Sequence, residues 1–340
     1  PGTVGGDTTG AKDLHPERER ELEAGFDATL WNSHANLEFT VYQKNVSDLL
    51  LPRQLAPSNG INFEIFNGGK LRTRGVELSL ETIPLQRSGL KWLFRTTFAL
   101  NRSIITELPI PAFSAGGFGA SIGEFRVEQG ASATQIVGND TLTAADIASG
   151  RYPGDSVGQI VVRKVADANP DFRMSFTNDL TYKRLSLHFL LDWQKGSAIL
   201  NLTKLLYDFG QVTPDYGDLL PAPLIIPKSG GGADTLTTVG QKRLAGFSKV
   251  TSNYIESASF LKLREITLTY DLPTSLIQSV WQGARYAHIS VSGRNLFTST
   301  PYTGLDPEVS NFGNQPIARN IDVTPFPPSR SFWFAIDVGF

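Results

Sequence analysis

The sequence predicts an all-β fold, a transmembrane antiparallel β-barrel segment, and three observations carry that prediction. Apolar and polar residues alternate at every second position, the links between alternating stretches are short and long in turn, and no apolar run approaches a spanning helix in length.

Period two is the mark of an extended chain with two different faces. Roughly nine such stretches run along the 340 residues, near the length of about 9–11 that a tilted transmembrane strand needs. The first sets Leu22, Ala24, Phe26, Ala28 and Leu30 against Glu21, Glu23, Asp27 and Thr29. Leu37, Phe39 and Val41 then oppose Asn36, Glu38 and Thr40, and Val76, Leu78 and Leu80 oppose Glu77, Ser79 and Glu81. Trp92, Phe94, Thr96, Phe98 and Leu100 face away from Lys91, Arg95, Thr97 and Asn101. The pattern returns in Phe172, Met174, Phe176, Leu180 and Tyr182, and again in Leu185, Leu187, Phe189, Leu191 and Trp193, with Asp179, His188 and Asp192 on the polar side. Ile266, Leu268, Tyr270 and Leu272 oppose Glu265 and Asp271, Ala287, Ile289 and Val291 oppose His288, and the last stretch is Phe332, Phe334, Ile336, Val338 and Phe340.

The links alternate as strictly. Tight turns are expected at 31–34, 84–89 and 183–184, with a modest segment at 273–285, whereas 47–74, 103–170, 195–257 and 298–329 are long and rich in Gly, Pro, Ser and Asn. Such loops are uncommon in compact soluble domains. Short turns on one side and long loops on the other are the layout of an outer-membrane barrel, with the short ones in the periplasm. Trp31, Trp92, Tyr182, Tyr270, Tyr286 and Phe340 gather at the short-turn ends, as an interfacial girdle does. A soluble sandwich would hold the same aromatics in its core but does not explain the loop asymmetry. Odd strand numbers do not close bacterial single-chain barrels and open edges are not tolerated in lipid, so further strands are expected to complete this one.

Composition narrows the function. Charged residues make up 19% and the net charge is −2, leaving no basic excess for a phosphate backbone. The chain has no cysteine, which excludes disulfides, zinc–thiolate sites and sulfur redox chemistry. A barrel hides its apolar face in an average hydropathy that looks soluble, so 40% hydrophobic residues fit it. Pro1 to Asp7 reads as a loop, and an export signal is expected upstream.

Several runs resemble the C-terminal part of the SusC/RagA family of TonB-dependent transporters: PERERELEAG from Pro16, NGGKLRTRGVELSL from Asn67, SASFLKLREITLTYDLP from Ser257, VSGRNLFTSTPYTGLDPEV from Val291 and PPSRSFWFAIDVGF from Pro327. The most specific is Asn-Leu-Phe-Thr followed by Tyr302-x-Gly-Leu-Asp-Pro-Glu308. The resemblance implies a barrel of about twenty-two strands. Residues 1–16 would then be the remnant of an extracellular loop and residues 17–340 the C-terminal barrel segment, with plug and remaining strands outside this chain. It also implies a bacterial outer-membrane importer of oligosaccharides or peptides, working with a SusD-like lid lipoprotein and with TonB through the N-terminal region. The barrel assembly machinery is a further implied partner, and Phe340 looks like its C-terminal signal. A surface-assembly protein and a passive porin are the alternatives.

No catalytic role is read from the residues, and no cofactor or metal is expected. Glu21, Glu23, Glu77, Glu81, Asp179, Glu265, Asp271 and Asp337 invite a carboxylate-pair hydrolase reading. On a polar barrel wall, however, such acids are expected to meet Lys91, Arg95, Arg173 or Arg294. His188 and His288 point inward without partners at metal-ligand spacing. The glycines of 116–119 and 230–232 lack the neighbours of a phosphate cradle and read as flexible loop tips. Residues 199–209 are apolar at helical intervals and read as a short amphipathic helix on an outer loop, packed against the barrel rim or, as the alternative, on a lid protein. Candidate solute contacts are the loop aromatics Phe113, Tyr152, Tyr207 and Tyr216, since rings stack on sugars and peptides.

Overall fold

A computed structural model describes residues 8–56, 60–228, 230–280, 283–313 and 317–340, so the loop read at 1–7 lies outside the described residues. Its frame is a nine-stranded sheet in which every strand pairs antiparallel with its sequence neighbours in the frame. The strands are β1 (Arg18–Leu30), β2 (Ala35–Ser47), β3 (Lys70–Arg87), β4 (Leu90–Glu107) and β5 (Pro170–Tyr182). β6 (Leu185–Gly196), β7 (Phe260–Asp271), β8 (Tyr286–Ser299) and β9 (Ser331–Gly339) complete it. Each predicted stretch falls within one of these strands or ends one residue beyond it, and β3 and β4, with 18 residues each, run well past the length a bilayer requires.

The turns show why the register holds. Between β1 and β2 the chain reverses through Trp31, Asn32 and Ser33, all at positive φ. The turn expected at 84–89 is shorter than that: β3 continues to Arg87, and only Ser88 and Gly89 make the reversal. Pro84 stays inside β3, where the register with β4 slips between Thr82 and Leu85. A bulge leaves residues out of the hydrogen-bond ladder, so a residue with no N–H to give is tolerated there. The 273–285 link carries the helix Thr274–Val280, whose Ile277 packs with Ala284 and Ala287.

The two faces of the sheet differ as the alternation demands. On the apolar face, rings meet across strands: Phe26 lies 5.6 Å from Phe39, Phe98 5.7 Å from Phe172, and Phe172 4.8 Å from Trp193. No second layer of protein covers this face among the described residues; Leu22, Phe332 and Phe334 are 76%, 73% and 67% exposed. The largest fully buried side chains lie elsewhere, Ile277 at the short-turn end and Phe125, Ile136, Leu142, Ile199, Leu200 and Ile321 in the long loops. A face this apolar and this continuous, left without a protein partner, is suited to hydrocarbon. Trp31, Tyr182, Tyr270, Tyr286 and Phe340 are exposed at the short-turn end, whereas Trp92 is half-buried and donates its indole N–H to Asn178 at 3.1 Å. Among the described residues no helix is long and apolar enough to cross a membrane.

All four long loops leave the same end of the sheet and carry structure of their own. Phe113–Gly117, Glu124–Val127, Gln135–Thr141 and Ile160–Asp167 form a four-stranded antiparallel sheet. Ala198–Asn201 pairs with Ile255–Ser257 and, in parallel, with Ile321–Asp322 of the last loop. Thr8–Gly10 pairs in parallel with Phe63–Asn67. Three loops share one hydrophobic core, with Phe125 and Ile136 from the second, Leu200, Leu205 and Tyr254 from the third, and Ala318 and Ile321 from the fourth.

Two sequence expectations change here. Gly116 and Gly117 lie within a strand and are not a loop tip; a Cβ on Gly117 would stand 2.6 Å from the Gly123 carbonyl oxygen, so glycine permits the close strand approach. Gly230 to Gly232 do form a tip, at the end of the hairpin Leu219–Pro227 and Ala233–Thr238. The helix expected over 199–209 begins only at Leu202, because Ile199 and Leu200 are buried in a strand that joins two loops. Its Leu202 and Leu205 face the shared loop core.

Candidate functional site

The polar face of the sheet is a wall of paired charges and hydroxyls. Near the short turns, the Nδ1 atoms of His188 and His288 meet carboxylate oxygens of Asp179 and Asp271 at 2.7 and 2.6 Å. Each histidine is thus bonded to one acid, with Asp337 also in register beside His288, and the described residues contain no group of three or more His, Asp or Glu arranged to hold a metal ion. Further along, Thr97 and Ser175 share a 2.6 Å hydroxyl bond, Arg95 pairs with Glu81, and Arg294 pairs with Glu265 at 3.2 Å. Arg173 reaches Asp192 only at 3.6 Å, and Lys91 has no acid partner among the described residues.

Toward the long-loop end the alternation breaks, and the break builds the densest charge cluster. Arg264 is left without a register partner, since β7 slips against β6 between Leu190 and Leu191 and against β8 between Leu263 and Glu265. Such a bulge re-aims side chains. Lys262, Arg264 and Glu265 therefore all serve the polar face. Arg264 donates to Asp192 at 2.5 and 3.0 Å and to both oxygens of Glu308 at 2.7 and 2.8 Å. Lys262 donates to both oxygens of Asp306 at 2.7 and 2.8 Å and to Glu308 at 2.6 Å. The Phe260 ring lies beneath both cations, 4.9 Å from the ammonium and 5.3 Å from the guanidinium. Burial would raise the Glu308 carboxyl, but the hydrogen bonds from Arg264 and Lys262 outweigh it and hold the group at about 2.

Asp306 and Glu308 belong to the Tyr302-x-Gly-Leu-Asp-Pro-Glu308 run, so the most specific sequence element is an anchor that ties the last long loop to the wall. The rest of the run works the same way. The Tyr302 hydroxyl donates to buried Asp322, and burial together with that carboxylate pushes its pKa up. Thr303 donates through its N–H and hydroxyl to Glu256 of the third loop.

The third loop is locked by a second cluster. Arg243 donates to both oxygens of Asp208 at 2.7 Å and also to Asp215 at 2.7 and 2.8 Å, while Tyr254 gives its hydroxyl to Asp208 at 3.1 Å. Burial would raise the Asp208 carboxyl, yet the guanidinium and the hydroxyl of Thr213 keep it below the usual carboxylate range.

Two cavities open beside these anchors. One, of about 460 Å³, lies between the wall and the last loop, with Asn101, Arg173 and Gln194 on the wall side and Glu308, Ser310 and Arg319 on the loop side. The other, of about 660 Å³, lies between the helix Leu202–Phe209 and the last loop, where Tyr207, Leu305 and Phe326 stand next to Lys204 and Asp322.

Of the loop aromatics singled out in the sequence, Tyr207 lines the second cavity. Phe113 packs on Leu51, Ile105, Leu108 and Val127, Tyr152 is half-buried beyond the helix Ala144–Ala148, and Tyr216 lies flat over Gly240, where a Cβ would come within 2.0 Å of the ring. The four are not gathered into one site. Lys262, Arg264, Asp306, Glu308 and Arg319 escape a reading by alternation. For Lys262 and Arg264 the signal was the parity of the apolar residues, odd at Leu261 and Leu263 and even from Ile266 onward; Asp306 and Glu308 were marked only as part of the specific run, and Arg319 carried no signal.

Comparison with known proteins follows this geometry. A family model described as "TonB dependent receptor-like, beta-barrel" matches residues 1–203. TonB-dependent receptor P3 of Formosa agariphila is 29% identical over 355 residues, and TonB-dependent receptor P26 of the same organism is 23% identical over 361. In both cases 95% of this chain and 34% of the relative are covered, so the chain spans about a third of the length of the curated relatives it matches. Among solved structures, the RagAB peptide importer in its "closed-closed" state superposes with a TM-score of 0.71 at 21% identity, over 96% of this chain and 36% of that one. A second structure, of the RagAB peptide transporter, gives 0.70 at 20% identity, over 95% and 35%.

Proposed function

Because the chain belongs to the TonB-dependent receptor-like β-barrel family, we propose that it supplies the last nine strands of an outer-membrane nutrient importer. The observation that carries this reading is the nine-stranded sheet itself. One face is apolar and uncovered, the other is polar and cross-linked by charge, and every long loop leaves at one end. In a closed barrel the apolar face meets lipid and the polar face lines the interior.

The short turns then lie in the periplasm and the packed loops form the extracellular mouth. Residues 8–16, with Thr8–Gly10 on the small outer sheet, are the end of an extracellular loop, and plug and remaining strands come from the rest of the protein. The solute, an oligosaccharide or a peptide, enters past the cavities at the mouth, where Tyr207 offers a ring to stack on. Phe113, Tyr152 and Tyr216 shape the loops around it. A SusD-like lipoprotein closes over the mouth, and TonB acts on the plug. No bond is made or broken by this chain. Phe340, exposed at the end of β9, is the mark read by the barrel assembly machinery.

The test is made on the full-length protein. Its recovery in the outer-membrane fraction, extractable only by detergent, together with loss of uptake of one nutrient on deletion of the gene, is the expected result. Recovery as a detergent-free soluble monomer overturns the reading, and passive leakage of unrelated solutes that does not depend on TonB replaces it with a porin.

A further inference from the structure

The cavity between the wall and the last loop contains more positive charge than its acids neutralise. Arg319 makes no hydrogen bond and no ion pair among the described residues. Arg173, on the same lining from β5, comes no nearer than 3.6 Å to Asp192 and 3.7 Å to Glu308. Those two carboxylates are already engaged, Asp192 by Arg264 and Glu308 by Arg264 and Lys262. Two guanidinium groups thus border one cavity with donors to spare.

Arg319 is also held in place. Ala318 before it is buried and has φ +66°, a conformation that a residue with a Cβ adopts only where its surroundings enforce it. The Ala318 methyl packs into the core shared by three loops, and Asn320 after it donates to the Ala198 carbonyl and Ser197 hydroxyl. The backbone that carries the guanidinium is therefore fixed on both sides, so only the side chain remains to be ordered on binding. At about 460 Å³ the cavity has the size of a small-ligand site.

We propose that this cavity recognises a carboxylate on the incoming solute, held between Arg173 and Arg319. Planar guanidinium forks match a carboxylate in a way that neutral donors do not. The shared chemistry is a carboxylate flanked by amide or hydroxyl groups, as in a peptide C-terminus or a uronic acid. Asn101 and Ser310 on the same lining suit those flanking groups. The proposal rests on the import reading above.

Titration calorimetry on the full-length protein in detergent tests it with two pairs of probes: tetra-alanine against its C-terminal amide, and trigalacturonate against its methyl ester. At least one acid binds about tenfold more tightly than its neutral twin, as loss of a charge-assisted hydrogen bond implies. The pair that shows the preference identifies the source of the carboxylate. Arg319→Gln and Arg173→Gln each reduce the preference, the double variant abolishes it, and Arg319→Lys keeps part of it. Heat-modifiable gel mobility checks that each variant is a folded barrel. Equal binding of acid and neutral forms, no binding of either acid, or a preference that survives in the double variant overturns the proposal. If deletion of the gene still abolishes nutrient uptake while the probes are not distinguished, the import reading stands and only the carboxylate site falls.

Discussion

Lys262 of β7 grips Asp306 of the last long loop through both carboxylate oxygens, at 2.7 and 2.8 Å, with a side chain only 4% exposed. A buried ion pair broken on one side leaves the other charge stranded, at a cost of about 3–5 kcal/mol. Lys262→Met is therefore expected to release residues 300–330 from the wall while leaving the strands paired. Limited proteolysis of the folded barrel checks this: cleavage appears within the last loop, and the double variant Lys262→Met, Asp306→Asn is cut more slowly than the single one.

The same anchor is sensitive to acid. Glu308 has its folded pKa at about 2, below the ordinary 4.5. A carboxyl depressed in the folded state stabilises it above the unfolded pKa, and that contribution fades as pH falls toward the folded value. Docking of the last loop is thus expected to be constant from pH 7 to about 5 and to weaken between about 4.5 and 2. Pepsin, active across that window, should begin to cut the loop there, and Glu308→Gln should flatten the pH dependence by removing the titrating group.

Asp208 is fully buried and is the main partner of Arg243. Asp208→Asn keeps the shape but leaves the guanidinium short of charge in a site where its side chain is 10% exposed. A loss of about 3–5 kcal/mol is expected, confined to the third loop. Hydrogen exchange should speed up over 202–254 and remain slow in β5 and β6.

Phe176 sits midway along β5 on the apolar face, in register with Thr96 and Leu191. Phe176→Arg places a cation in lipid and is expected to cost about 2–4 kcal/mol if that position lies at the bilayer midplane. Ser79→Lys, on the polar face opposite Glu38, should cost little. Urea unfolding in lipid vesicles compares the two, and similar losses would show that the faces are misassigned.

The frame was legible because period two is a backbone property: Leu22 to Leu30 and Phe332 to Phe340 announce their faces whatever surrounds them. What escaped was set by tertiary context. Pro84 read as a turn because proline usually is one, and only the slip beside Thr82 shows how β3 accommodates it. Ile199 and Leu200 read as helix because short apolar runs carry no period of their own, and pairing of Ile199 with Glu256 and of Leu200 with Ile255 and Ile321, far along the chain, makes them strand. The charge cluster was hidden for a related reason. Arg264 breaks the alternation, and its partners Asp192 and Glu308 lie 72 and 44 residues away. The loop aromatics, chosen by residue type alone, scattered across the outer structure.

The core common to the second, third and fourth long loops makes their packing interdependent. Phe125 and Ile321 both belong to it although more than half the length of the chain separates them. No one loop completes this interior alone, since each contributes only part of it. A variant that keeps Ala318 and Ile321 out of that core would therefore expose apolar surface on the second and third loops as well.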